Sequence, residues 1–243
     1  MPGLAWLTAR PLAHRGLHGA GVIENTASAF AAAIAAGYGM ETDLQVSADG
    51  EAMVHHDEAL GRLTEGSGRL AEMSAAEIKQ ARFKATSDRI LTLGELCDLV
   101  AGRATLLLEL KSRFDGDERL LRRTASVLAG YQGPAALMSF DPGLVEMARR
   151  IAPSLTRGID AQRHFDDWPA LPKSYARSMA HLLHVPRTRP QFVAYRVQDL
   201  PTLATTALRL VNLPLLTWTV RTDDERRRAA AYADQIIFEG WRP

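Results

Sequence analysis

Four short polar clusters punctuate the chain: His14-Arg15-Gly16, Glu41-Thr42-Asp43, His55-His56-Asp57 and Glu109-Leu110-Lys111. Their residue types suit the handling of a negatively charged group. Glu41 and Asp43 lie two apart in an alternating stretch, so on a strand both side chains point to one face. Glu109 and Lys111 share a face for the same reason. If the Glu41 and Glu109 faces meet, three carboxylates converge. Clustered carboxylates repel one another and are costly to desolvate, and a divalent cation resolves both problems. An all-oxygen donor set favours Mg²⁺ or Ca²⁺ over a thiolate-loving metal. His14 and His56 would flank that cation, and a pair of imidazoles can supply one base and one acid near neutral pH. Arg15 and Lys111 add the positive charge that an anionic substrate requires. A cation, an acid–base pair and two cationic side chains are the parts needed to cleave a phosphate ester.

Each cluster also has a plainer reading. An isolated His-Arg pair is usually a surface ion-pair partner, and Glu41 and Asp43 could pair with Arg15 and Lys111 in a metal-free network. Buried ion-pair networks rarely stabilise enough to be their own reason, which favours the metal. His55 and His56 must point to opposite faces of a strand. His56, directly before Asp57, is the proton carrier, and His55 is structural. Asp57 orients His56 or caps the turn that follows. Trp218 is either barrel wall or a substrate-facing apolar surface at a strand end. Arg226-Arg227-Arg228, beside Asp223, Asp224 and Glu225, reads as a solvated helix face.

The elements that must position these residues are legible as alternation. Apart from a short return at Ala52–His56, strand candidates begin at residues 12, 40, 105, 135, 156, 192, 215 and 235. Helical stretches fall between most of them: Asn25–Ala36, Ser74–Gln80, Thr92–Val100, Glu118–Leu128, Pro142–Ile151, Tyr175–Leu183, Thr202–Leu210 and Asp223–Tyr232. Eight strands separated by crossover-length connections predict a (β/α)8 TIM barrel. A small hairpin-containing insertion follows the second strand, turned by Asp49-Gly50. A doubly wound open sheet is disfavoured because no glycine-rich phosphate loop follows the first strand. No linker, repeat or low-complexity tract interrupts the pattern, so residues 1–243 read as one domain. In a β/α barrel the carboxyl ends of the strands face one rim, and the four clusters, far apart in sequence, would converge there.

Composition narrows the class. The chain has 243 residues, 29 Lys+Arg against 28 Asp+Glu, and a net charge of +1. That balance argues against a nucleic-acid binder, which would carry a basic excess. One cysteine, Cys97, excludes an internal disulfide framework and a cysteine-based zinc site. No apolar run is long enough for a membrane anchor, and Met1 to Arg10 lacks the form of a secretory signal, so a cytoplasmic location is expected.

The ordered set of motifs resembles a known family. It comprises HRG at His14–Gly16, ENT-x-x-AF at Glu24-Asn25-Thr26 and Ala29-Phe30, E-x-D, HD after a DG turn, and Leu60 to Thr64 followed by Gly66-Ser67-Gly68. E-x-K, SF and WTV complete it. Together these motifs resemble the glycerophosphodiester phosphodiesterases from about His14 to Val220. The resemblance implies a β/α barrel, a divalent metal and hydrolysis of glycerophosphodiesters to glycerol 3-phosphate and an alcohol. It implies His14 and His56 as acid–base residues, Glu41, Asp43 and Glu109 as metal ligands, and Arg15 and Lys111 as substrate contacts. Three positions depart from the family pattern: Ile23 for proline, Arg221 for asparagine, and Phe238-Glu239-Gly240 for a Thr-Asp pair. They are expected to lie outside the catalytic set and to bear on substrate choice. Two other functions stay open: lysophospholipase D-type cleavage of a lipid-like diester, and a non-catalytic phosphodiester-binding barrel. The attacking group is either the glycerol 2-hydroxyl, giving a cyclic phosphate, or water.

Overall fold

A computed structural model describes residues 3–164 and 171–243; Met1 and Pro2 of the opening decapeptide lie outside the described residues. Among the described residues, nine strands form one sheet: β1 (Leu12–Ala13), β2 (Gly39–Val46), β3 (Ala52–Val54), β4 (Leu106–Leu110), β5 (Ala135–Ser139), β6 (Thr156–Ala161), β7 (Phe192–Arg196), β8 (Leu215–Val220) and β9 (Gln235–Phe238). All neighbours pair in parallel except β2 and β3, the antiparallel hairpin. β1 pairs with both β9 and β2, which closes eight strands into a barrel. The expected (β/α)8 barrel is the observed fold, with the hairpin and its insertion after the second barrel strand.

Helix starts follow from capping chemistry. The first amides of a helix have no intrahelical partner, and a preceding Ser, Thr or Asp oxygen accepts from them. Thr26 caps Ala27–Ala35, and Asp141, with proline next, caps Pro142–Ile151. Thr92 with Glu95 and Thr222 with Glu225 form reciprocal capping boxes. The Tyr175–Leu183 expectation is shifted: the helix is Lys173–Ala180, and the chain turns out of helical geometry by Leu182, at φ +56. Two four-residue helices, Ala5–Thr8 and Val185–Thr188, were not expected, because one turn carries no periodicity to read.

The barrel holds two apolar layers. Leu12, Leu107, Met138, Phe192, Leu216 and Ile237 fill its interior, and Leu7 packs against them. Gly158 on β6 is required there: a Cβ would lie 2.3 Å from the Phe192 ring. The outer faces of the strands pack against the helices, which explains why β4 is buried at every position. The insertion builds its own cluster around Met53, Leu70, Ile78 and Ile90. Among the described residues, no helix is long and apolar enough to cross a membrane.

Candidate active site

Parallel register carries the polar clusters to one rim. Asp43 on β2 pairs directly with Glu109 on β4, so the two carboxylates sit side by side on one barrel face. Glu41, two residues before Asp43, joins them, and ligand oxygens of all three lie within 4.8 Å of one another. Their side chains are almost wholly buried.

Buried negative charge of this density demands partners. Lys111 Nζ lies 2.8 Å from both Asp43 Oδ1 and Glu109 Oε1. Arg15 Nε stands 3.1 Å from Asp43 Oδ2, an ion pair rather than an aligned hydrogen bond. Three carboxylates against two cations leave an excess of negative charge. Burial pushes Glu41 well above the usual carboxylate range, and Asp43 and Glu109 push it further. Burial raises Glu109 too, while Lys111 and Arg15 hold Asp43 well below its ordinary value despite burial.

The turn after β1 is shaped for this cluster. Arg15 adopts φ +55 and Gly16 φ +79, and a Cβ on Gly16 would meet Ala29 Cβ at 2.9 Å. The left-handed backbone at Arg15 aims its N–H at Glu41 Oε2, 3.1 Å away. The Glu24-Asn25-Thr26 motif also gains its reasons here. Asn25, at φ +56, donates from Nδ2 to Asp43 Oδ2 at 2.9 Å and accepts from Thr42 Oγ1. Glu24 accepts from Arg15 Nη1 at 2.8 Å and from Arg62, and Thr26 caps the next helix.

Each site histidine is held at Nδ1 by a carboxylate that an arginine holds in turn. His56 Nδ1 lies 2.7 Å from Asp57 Oδ1, and Arg62 Nε donates to Asp57 Oδ2. His14 Nδ1 lies 2.6 Å from Glu239 Oε2, and Arg221 Nη2 donates to the same oxygen at 2.8 Å. His14 Nε2 faces the cluster, 3.9 Å from Glu41 Oε2. Burial lowers the pKa of both imidazoles, with Lys111 adding to the effect at His56. The His14 bond holds the Glu239 carboxyl down at about 2, with Arg221 contributing. Glu239 therefore reaches His14 directly and Arg221 reaches it through Glu239, although both departures from the family pattern were expected to lie away from it; adjacent strand ends at β8 and β9 bring them there.

Above the carboxylates opens a cavity of about 1020 Å³, whose wall includes His14, His56, Lys111, Phe140, Asp160 and Trp218. Trp218 thus faces the cavity as well as the barrel wall, edge-on to Phe140 at 5.6 Å. Its Nε1 donates to Asp160 Oδ1, whose carboxyl is raised well above the usual range by burial and by Glu109. His55, just past the end of β3, is buried, whereas the His56 side chain is partly exposed at the cavity. Sequence reasoning passed over Asp160; a lone acid in an otherwise buried strand was the available signal. Glu24 and Arg62 lay within quoted motifs but were given no role, since both sit on loops where no periodicity shows what a side chain meets.

Comparison with known proteins places this arrangement. Residues 14–238 match the glycerophosphoryl diester phosphodiesterase family. A curated glycerophosphodiester phosphodiesterase from Caldanaerobacter subterraneus subsp. tengcongensis is 31% identical over 160 residues, covering 61% of this chain and 65% of that protein. The match thus spans just under two thirds of that relative's length. A structure from Silicibacter pomeroyi DSS-3 aligns with TM-score 0.79 and 28% identity, covering 94% of this chain and 89% of that one. An Oleispira antarctica phosphodiesterase, solved with its product sn-glycerol-3-phosphate, shares the fold with TM-score 0.80 at 21% identity, covering 96% and 94% of the two chains.

Proposed function

This chain belongs to the glycerophosphoryl diester phosphodiesterase family, and from that premise we propose that it hydrolyses a glycerophosphodiester to sn-glycerol 3-phosphate and an alcohol. The observation that carries the reading is the buried Glu41–Asp43–Glu109 cluster flanked by two histidines, each tied at Nδ1 to a carboxylate. The cluster fits a hard divalent cation: its donors are all oxygen, and its charge exceeds what Arg15 and Lys111 offset. Glu41, Asp43 and Glu109 would hold Mg²⁺ or Ca²⁺, and the bound cation supplies charge stabilisation for the phosphoryl oxygens.

The chain's own residues do the rest. Arg15 and Lys111 bind the phosphodiester anion beside the cluster. Glu239 and Asp57 keep the proton of each neutral imidazole on Nδ1, which leaves Nε2 free toward the substrate. One histidine takes a proton at Nε2 from the attacking hydroxyl, the glycerol 2-hydroxyl or water. An oxygen–phosphorus bond forms, the bond to the alcohol oxygen breaks, and the other histidine, as imidazolium, gives its Nε2 proton to that oxygen; where the 2-hydroxyl attacks, water then opens the cyclic phosphate at phosphorus, with the two histidines exchanging roles, and the 2-hydroxyl is released. Trp218 and Phe140 form an apolar wall at the substrate's side.

The test is release of glycerol 3-phosphate from glycerophosphocholine by purified protein, with and without Mg²⁺ or Ca²⁺. Cation-dependent release supports the reading. Binding without turnover would leave a non-catalytic barrel, and turnover confined to lysophospholipid would move the activity to lipid-like diesters.

A further inference from the structure

The far side of the His14 ring holds a second group of metal-competent atoms. His14, His18 and Glu239 each present one ligand atom, and the three lie within 4.8 Å of one another. His18 Nε2 stands 4.0 Å from Glu239 Oε2, where His14 Nδ1 already lies at 2.6 Å. His18 Nε2 is buried without a hydrogen-bond partner, so the group includes a ring nitrogen whose bonding capacity is unused. The His18 backbone is fixed in the tight turn after β1, its N–H bonded to Gly16 O at 3.0 Å.

We propose that His14, His18 and Glu239 form an inhibitory site for a borderline transition-metal ion of the Zn²⁺ class, distinct from the carboxylate cluster. The donor chemistry separates the two. Two imidazoles and one carboxylate suit Zn²⁺, whereas three carboxylates suit Mg²⁺ or Ca²⁺. Tetrahedral zinc at its usual bond lengths places ligand atoms about 3.3 Å apart, so side-chain shifts of about 1 Å complete the site. The three side chains are 14%, 17% and 24% exposed, which shields the site yet leaves solvent a route to a fourth ligand position. Arg221, 47% exposed, donates to Glu239 Oε2, the oxygen that His14 also uses, and a metal taking that oxygen would turn the guanidinium out toward solvent.

Inhibition follows from the tautomer, and this half of the inference rests on the reading of His14 as a proton carrier. A metal on Nδ1 displaces the proton there, and the remaining ring proton sits on Nε2. As a base, His14 then has no lone pair facing the substrate. As an acid, it would have to leave an imidazolate.

The experiment titrates Zn²⁺ into wild type, His18→Ala and His18→Leu at saturating Mg²⁺, reading glycerophosphocholine turnover and, by calorimetry, zinc stoichiometry. His18 is outside the catalytic set, so Mg²⁺-supported turnover of the variants should match wild type and report that they fold. The expected result is zinc inhibition of wild type that further Mg²⁺ does not relieve, with the half-inhibitory concentration raised about tenfold or more in both variants. One zinc equivalent measured at saturating Mg²⁺ should be lost with it. Equal inhibition of all three proteins, or relief by excess Mg²⁺, would place zinc in the carboxylate cluster and overturn the proposal. If the wild-type protein turns over no diester, the calorimetric arm still decides: loss of the zinc equivalent in the His18 variants upholds the site, and its retention removes it.

Discussion

His14→Ala and His56→Ala each remove one proposed proton carrier, and each should lower kcat by about two to four orders of magnitude, the usual worth of a general acid or base. Metal binding should persist in both, because neither is a ligand of the carboxylate cluster; steady-state kinetics beside a metal titration checks this. Near-normal turnover in either variant would remove that histidine from the mechanism. Glu239→Gln and Asp57→Asn keep shape but lose the carboxylate that fixes the Nδ1 proton. Each should reduce kcat by about 10- to 100-fold with little change in KM, since orientation of a proton carrier serves the transition state more than binding. A rise in KM at constant kcat would instead make these residues substrate contacts. The His56–Asp57 pair was readable because the two are adjacent in sequence. The His14–Glu239 pair was not, because 225 residues separate its members.

At the scale of an element, β6 and β7 show how tightly the barrel interior is determined. Gly158→Ala places a methyl against the Phe192 ring, and overpacking of this kind costs about 1–3 kcal/mol. Urea denaturation should register that loss; an unchanged midpoint would mean that Phe192 can repack. The short Val185–Thr188 helix supplies a pH dependence through His184, which is buried beside Thr188. Burial lowers its pKa to about 4 from an ordinary 6.5, with Arg187 adding to the effect. The folded chain therefore keeps His184 neutral where the unfolded chain protonates it. Its contribution is fully present above pH 6.5 and is lost as pH falls toward 4, of the order of 3 kcal/mol in all. Stability of His184→Gln measured across that window should fall less steeply than wild type. Parallel slopes would show that His184 charges as freely in the folded chain as in the unfolded one.

For the molecule as a whole, the proposed cation site in the carboxylate cluster would link metal binding to folding. Glu41, Asp43 and Glu109 come from two strands that pair only in the closed barrel, so the unfolded chain has no such site. Mg²⁺ or Ca²⁺ at a hundredfold excess over Kd should then stabilise the fold by about 2.7 kcal/mol. Chelator should abolish turnover and lower Tm together, and metal should restore both. Full activity in strong chelator with no thermal shift would leave the carboxylates as charge partners of Arg15 and Lys111. We further propose that residues 1–243 unfold as one domain, in a single transition seen alike by calorimetry and circular dichroism.

The strand count, the positions of most helices and the polar clusters at strand ends were all present in the sequence. Each rests on local rules: alternation with period two, capping by Ser, Thr and Asp, and apolar runs of strand length. Glu41 with Asp43, and Glu109 with Lys111, could be placed on common faces because the period of a strand needs no partner to be read. What the tertiary structure alone decided is how distant segments meet. The β2–β4 register sets Asp43 beside Glu109, closure of the barrel brings Glu239 onto His14 with Arg221 behind it, and the curl of the sheet puts Asp160 in reach of Trp218. These pairings depend on register between strands and on where the last strands return, and no local pattern encodes a partner that lies from 58 to 225 residues away. The left-handed turn at Arg15 and Gly16 is of the same kind: sequence offers a glycine, but only the packing of Ala29 and Phe30 against it shows why nothing larger fits.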